Sequence, residues 1–186
     1  MKKLLLITGD LACGKSTFAR LLSARYHAPL FCKDDIKEIL GDTVGFSGRE
    51  ENLRLSAAAV ELMRFSFAEL SRFGGDVILE ANFRTRELEK LHEAAGQSGY
   101  KVCTLVLRGD VEILFARFLN RIRNENRHPV HQSAHLTDLA AFAAYIEGLR
   151  QEAVPGDTLT VCADDFAFQT DGELLSRIDA FMATPC

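Results

Sequence analysis

The chain has 186 residues, 47% of them hydrophobic and 26% charged, with a formal net charge of −4. That length can bury one core without disulfide or metal support, and the acidic balance presents no global basic field to a nucleic-acid backbone or an anionic membrane. Cys13, Cys32, Cys103, Cys162 and Cys186 are odd in number, scattered and never spaced C-x-x-C, which predicts reduced thiols in a cytoplasmic protein.

Met1-Lys2-Lys3 before Leu4-Leu5-Leu6-Ile7 superficially resembles a secretory signal, but the apolar run is short and breaks at Gly9-Asp10. It is predicted as a buried first strand over 3–8, and no segment approaches the length of a membrane span. Gly9-Asp10-Leu11-Ala12-Cys13-Gly14-Lys15-Ser16-Thr17 follows and fits G-x-x-x-x-G-K-S/T. Between a strand and an amphipathic helix over 15–26, this pattern predicts a phosphate-binding loop. Its glycines let successive N–H groups converge on an anion, and the helix adds its positive dipole end. Lys15 then reaches the β- and γ-phosphates of ATP, and the Ser16 hydroxyl ligates Mg²⁺.

Further strands are predicted over 29–33, 76–81, 101–107 and 158–162, each followed by helix, the alternation of a parallel sheet covered on both faces. A short helix is expected from Asp35 to Gly41, then a mobile loop over 41–48, which holds three glycines and Phe46. Leu53, Ala57, Val60, Met63, Phe67 and Leu70 recur at helical spacing within a long helix over 49–73, a core stripe. Helices over 85–97, from an N-cap at Asp110, over 136–151 and over 172–182 complete a single domain spanning 1–186. A polar, basic lid is expected over about 117–135.

In a parallel sheet every strand ends on one edge, so residues just past the strand ends converge there. In Lys33-Asp34-Asp35-Ile36-Lys37, Asp34 is the candidate base for an attacking hydroxyl, and Asp35 is expected to help start the helix. Glu80 ends the third strand and is placed to hold Mg²⁺ through water or to orient the acceptor. Arg84 and Arg86 follow as acceptor-binding candidates. Arg117 and Arg121 share a helix face from which guanidinium groups stabilise charge on a transferring phosphoryl group, ahead of Arg123 and Arg127. His128, His131 and His135 have no Cys or acidic partner at a metal-site spacing and are not read as a metal centre.

The phosphate loop, Lys33-Asp34-Asp35-Ile36-Lys37, Leu79-Glu80-Ala81-Asn82-Phe83 and the Arg117/Arg121 pair together resemble the P-loop kinase group over nearly the full length. Within it, the chain looks similar to the kinase half of polynucleotide kinases, zeta-toxin-like kinases, chloramphenicol phosphotransferases and gluconate kinases. The resemblance implies a five-stranded parallel sheet ordered 2-3-1-4-5, Asp34 as base, and lid arginines at Arg117 and Arg121 contacting nucleotide and phosphates. Those relatives' acceptor-contacting arginine corresponds here to Lys37, and their adenine loop to Ala163-Asp164-Asp165-Phe166. The expected activity is Mg²⁺- and ATP-dependent transfer of a phosphoryl group to a small-molecule hydroxyl. The alternatives are a nucleotide-binding or hydrolysing regulator and a nucleic-acid 5′-hydroxyl kinase. Asp42-Thr43-Val44-Gly45 matches D-x-x-G, but no N/T-K-x-D guanine motif occurs. The nucleic-acid reading is disfavoured by the charge and by the lack of aromatic residues along a basic stripe.

Overall fold

A computed structural model of the chain describes residues 2–124, 127–131, 136 and 138–183. Among these, β1 (Lys2–Gly9), β2 (Leu30–Cys32), β3 (Val77–Glu80), β4 (Tyr100–Arg108) and β5 (Asp157–Cys162) form one parallel sheet ordered β2-β3-β1-β4-β5, as expected. The central strands read as unbroken apolar runs because both of their faces are covered. Leu4, Leu5, Leu6 and Ile7 are fully buried, and the two faces they alternate between carry two separate cores.

On one face Leu5, Ile7, Leu105 and Leu107 pack against α1 (Lys15–Tyr26) through Phe18, Ala19 and Leu22. The same core takes in α5 (Val111–Asn124), α6 (Leu139–Arg150) and α7 (Gly172–Ala183) through Leu114, Phe118, Phe142, Ile146 and Ile178. On the other face Leu4, Leu6, Val77 and Leu79 meet Met63 and Phe67 of α3 (Gly48–Phe73) and Leu88 and Leu91 of α4 (Thr85–Gln97). Of the expected α3 stripe, Val60, Met63 and Phe67 are buried and Leu70 packs against this core, but Leu53 and Ala57 are exposed. The helix turns Leu55 and Ala59 inward in their place, and Leu53 lines the cavity at the carboxyl edge of the sheet. Asp110 caps α5 as expected, its carboxylate accepting from the N–H groups of Glu112 (2.9 Å) and Ile113 (3.1 Å). α6 begins three residues inside the predicted start, capped by Asp138.

The segment 41–48 departs from expectation. α2 runs Lys33–Val44, so Gly41, Asp42, Thr43 and Val44 are helical, and only 45–47 separate it from α3. Gly41 is there for packing. A Cβ at this position would lie 2.5 Å from Val130 Cγ1 and 3.2 Å from a His128 ring carbon, so the bare backbone lets the 3-10 turn Pro129–His131 dock on α2. The same helix start places Asp34 and Asp35 inside the first turn of α2, with neither acting as its N-cap, which is Cys32. Acidic side chains there favour the positive end of the helix.

β1 lies between β3 and β4, and the chain leaves it for β2 at one edge while β3 leads to β4 on the other side. A crevice opens where these connections diverge, at the carboxyl ends of β1 and β3.

Candidate active site at the carboxyl edge of the sheet

The loop after β1 begins where Gly9, at φ 131°, crosses β4 so closely that a Cβ would lie 2.0 Å from the Leu107 carbonyl oxygen. Asp10 N–H donates to that same oxygen at 2.9 Å. Ala12 (φ 62°) and Gly14 (φ 86°) take left-handed backbone conformations that turn the loop into the start of α1. Asp10 is buried, and its carboxylate accepts from Arg150 at the end of α6 (Nη2 to Oδ2 2.6 Å) and from the Gly109 N–H (3.1 Å). Arg150 also donates to the Gly109 carbonyl at 2.5 Å, so one guanidinium ties the phosphate loop to the end of β4. Nothing local in the sequence marks Arg150, which is 140 residues away from Asp10.

Lys15 is buried and donates to the Asp10 carbonyl at 2.5 Å, with Cys13 Sγ 3.6 Å away. Burial works against its ammonium form, but the Glu80 and Asp34 carboxylates favour it, and its pKa stands above the usual value. The Cys13 thiol donates to the same carbonyl at 2.9 Å, and burial raises its pKa against the pull of Lys15, so it sits here as a thiol. Ser16 Oγ donates to Glu80 Oε2 at 2.9 Å. Burial raises the Glu80 carboxyl above its ordinary range, with Lys15 opposing the rise. A hydroxyl and a carboxylate meeting at the phosphate loop form a hard-oxygen donor set that fits Mg²⁺, which takes one or two protein groups and completes its shell with phosphate oxygens and water. No group of three or more His, Cys, Asp or Glu suited to a metal occurs among the described residues.

One cavity of about 1150 Å³ runs from this loop outward. Lys15, Asp34, Arg117, Arg121, Lys37, Glu80 and Arg84 all line it, together with the loop from Leu11 to Thr17. Gly9 and Asp10 do not; their work is to hold the loop from behind. Arg86 and Arg123 are also absent from the lining, and Phe83 is buried in the core cluster that holds Leu79 and Leu88.

Arg117 donates to the Ala163 carbonyl (2.6 Å) and to that of Asp164, and its guanidinium lies 4.3 Å over the Phe166 ring. Phe166 in turn reaches the phosphate loop, since a Cβ on Gly14 would lie 2.9 Å from its ring. The segment that the family resemblance placed beside adenine is thus packed between α5 and the loop.

At the far end Asp34 projects from α2 with half its side chain exposed, while Asp35 faces away to a bidentate pair with Arg20 (2.9 Å to each oxygen). Lys37 donates to the Val130 carbonyl at 3.0 Å, so it anchors the 3-10 turn as well as lining the cavity. Asn52 of α3 donates to the same oxygen at 3.1 Å. His131 Nε2 lies 2.7 Å from Glu38 Oε1, with Nδ1 4.0 Å from Asp34 Oδ2, and His128 Nε2 lies 2.9 Å from Asp42 Oδ1. The two histidines thus clasp the turn to α2. His135, the remaining lid positions 125, 126 and 132–134, and Cys186 lie outside the described residues.

The chain belongs to the AAA domain family, whose model matches residues 4–164. No curated protein matches it. Among solved structures it is similar to a "putative kinase" from Chloroflexus aurantiacus J-10-fl, with 27% identity over 98% of this chain and 99% of that one, at a TM-score of 0.81. It is also similar to a gluconokinase from Sinorhizobium meliloti 1021 (15% identity, 98% of each chain, TM-score 0.60). A shikimate kinase from Bacteroides thetaiotaomicron shares the fold as well (17% identity, 98% and 99% covered, TM-score 0.57). The fold is that of a P-loop kinase with a nucleotide-binding loop, in agreement with the resemblance carried by the sequence motifs.

Proposed function

We propose that this AAA-domain chain is a Mg²⁺- and ATP-dependent kinase that transfers the γ-phosphoryl group to a hydroxyl of a small molecule. The observation that carries the proposal is the single cavity joining the phosphate loop to Asp34, a carboxylate with no role in holding the loop. Lys15 and the amide-lined loop hold the triphosphate, and the Ser16–Glu80 pair holds Mg²⁺. Mg²⁺, when bound, neutralises charge on the phosphate oxygens and keeps them in register. Asp34 accepts the proton of the acceptor hydroxyl, which directs the oxygen toward the phosphoryl group. Arg117 holds the 163–166 segment at the nucleotide's base end, Arg121 faces the phosphates, and Arg84 and Lys37 border the acceptor. The basic segment within 117–135 serves as the lid that excludes water during transfer. The kinases among its structural relatives support a small-molecule acceptor, and the scattered cysteines support a cytoplasmic setting.

The test is a labelled-ATP transfer screen across sugars, nucleosides, antibiotics and short oligonucleotides, repeated with Asp34→Asn. The variant should lose on the order of 10²- to 10⁴-fold in transfer rate with nucleotide affinity within about twofold of wild type. Normal transfer by Asp34→Asn would remove the base assignment. Turnover of ATP at full rate without any acceptor would replace the kinase by a hydrolysing regulator.

A further inference from the structure

Nine Lys and Arg side chains line the cavity against two carboxylates, Asp34 and Glu80, although the whole chain carries a net charge of −4. The acidic surplus therefore lies elsewhere, and positive charge is concentrated at the site. Mg·ATP brings only about two net negative charges once the ion is counted, so the nucleotide alone leaves the lining unbalanced.

The cations are not equivalent. Lys15, Lys37 and Arg117 are bonded to backbone carbonyls, and Arg20 and Arg84 are paired with Asp35 and Glu152. Lys33 and Arg49 make no hydrogen bond or ion pair among the described residues, and both border the acceptor end. Lys33 directly precedes Asp34, and Arg49 lies in the first turn of α3, one turn before Asn52.

Lys33 is also placed against its own helix. It stands in the first turn of α2, where a cation opposes the dipole, and one turn before Lys37, where like charges repel. Burial and then Lys33 pull the Lys37 pKa below its ordinary value, with Asp34 opposing. A bound anion relieves both repulsions.

Resting on the kinase reading, we propose that the acceptor carries, besides its reacting hydroxyl, an anionic group, carboxylate or phosphate, held by Arg49 and Lys33. A guanidinium fork matches either group in bidentate fashion, and an ammonium adds a point charge. Asp34 completes the orientation, because it repels the anionic end of the molecule and accepts from the hydroxyl end.

The full-length protein is first saturated with Mg²⁺ and a non-hydrolysable ATP analogue, which fills the phosphate loop, and is then titrated calorimetrically with inorganic phosphate, acetate or glycerol. Phosphate or acetate should bind with a Kd on the millimolar scale and glycerol should not. The Lys33→Gln/Arg49→Gln double variant should weaken the anion at least about tenfold while holding the analogue Kd within about twofold. Tighter binding of phosphate than acetate assigns a phosphorylated acceptor, and the reverse assigns a carboxylate. If the loaded protein binds neither anion, or the double variant binds them as wild type does, the inference is overturned while the kinase reading stands. Failure at the first titration, with no analogue bound, overturns the kinase reading and this inference with it.

Discussion

The two ends of the cavity are built differently. At the nucleotide end the key side chains are already committed, Asp10 to Arg150 and Gly109, Lys15 to the Asp10 carbonyl and Ser16 to Glu80, and Asp10, Lys15 and Glu80 are buried. At the acceptor end Asp34 is half exposed and Lys33 and Arg49 have no partner among the described residues. The turn Pro129–His131 beside this end is held by side chains from two other helices, Lys37 of α2 and Asn52 of α3. A cradle for one invariant ligand is prewired, while a site whose ligand supplies part of the bonding keeps its charges unspent.

Removing Arg150 tests the first half of this contrast and should have the largest effect. Its guanidinium is about a third exposed at 32%, but the Asp10 carboxylate it covers is 1% exposed, so Arg150→Ala leaves a buried charge short of its partner. Such a loss costs about 3 kcal/mol when burial is complete, and somewhat less here because water reaches the gap. Chemical denaturation should show a drop of about 2 kcal/mol, and calorimetry a nucleotide affinity at least about tenfold weaker, with Arg150→Lys recovering part of each. A variant whose nucleotide affinity holds while its acceptor KM rises would invert the comparison.

Gly41→Ala addresses the second half. The added Cβ would lie 2.5 Å from Val130 and must push the 3-10 turn off α2. Replacing glycine inside a helix also favours folding by up to about 1 kcal/mol, which offsets the lost packing. Unfolding midpoints should therefore barely move, while steady-state kinetics show acceptor KM up by about fivefold to tenfold and nucleotide KM unchanged. Equal change in both Michaelis constants would mean that the two ends are not separable.

The same contrast explains what the sequence reveals. The strands and the cradle are legible because apolar runs and the contiguous phosphate-loop motif record them, the strand order only through the resemblance to P-loop kinases that those motifs carry, and Asp34 and Glu80 follow from lying at strand ends. Arg150 is invisible because it reaches Asp10 only through the tertiary fold. The docking of His128 and His131 on Asp42 and Glu38 spans 86 and 93 residues, and no local pattern encodes it. The three glycines of 41–48 suggest a loop, yet Gly41 belongs to a helix that needs the missing Cβ for contact with Val130. Propensity gives way there to packing.

The smallest effect separates the two ends by pH. Lys37 titrates below its usual value in the fold, through burial and then through Lys33, with Asp34 opposing. Between that lowered value and the unfolded value of 10.5 the unfolded chain binds the extra proton, so this group's contribution to stability rises with pH across the window. Lys37→Met deletes the titration. The wild-type Tm should thus gain on the variant as the pH rises toward 10.5, read by calorimetry in dilute buffer. Adding phosphate should flatten the difference, because an anion at Lys33 and Arg49 favours the charged form of Lys37 and lifts its pKa back. Parallel curves without phosphate would show that the acceptor end carries no electrostatic strain, and the contrast between a spent cradle and an unspent pocket would lose its energetic basis.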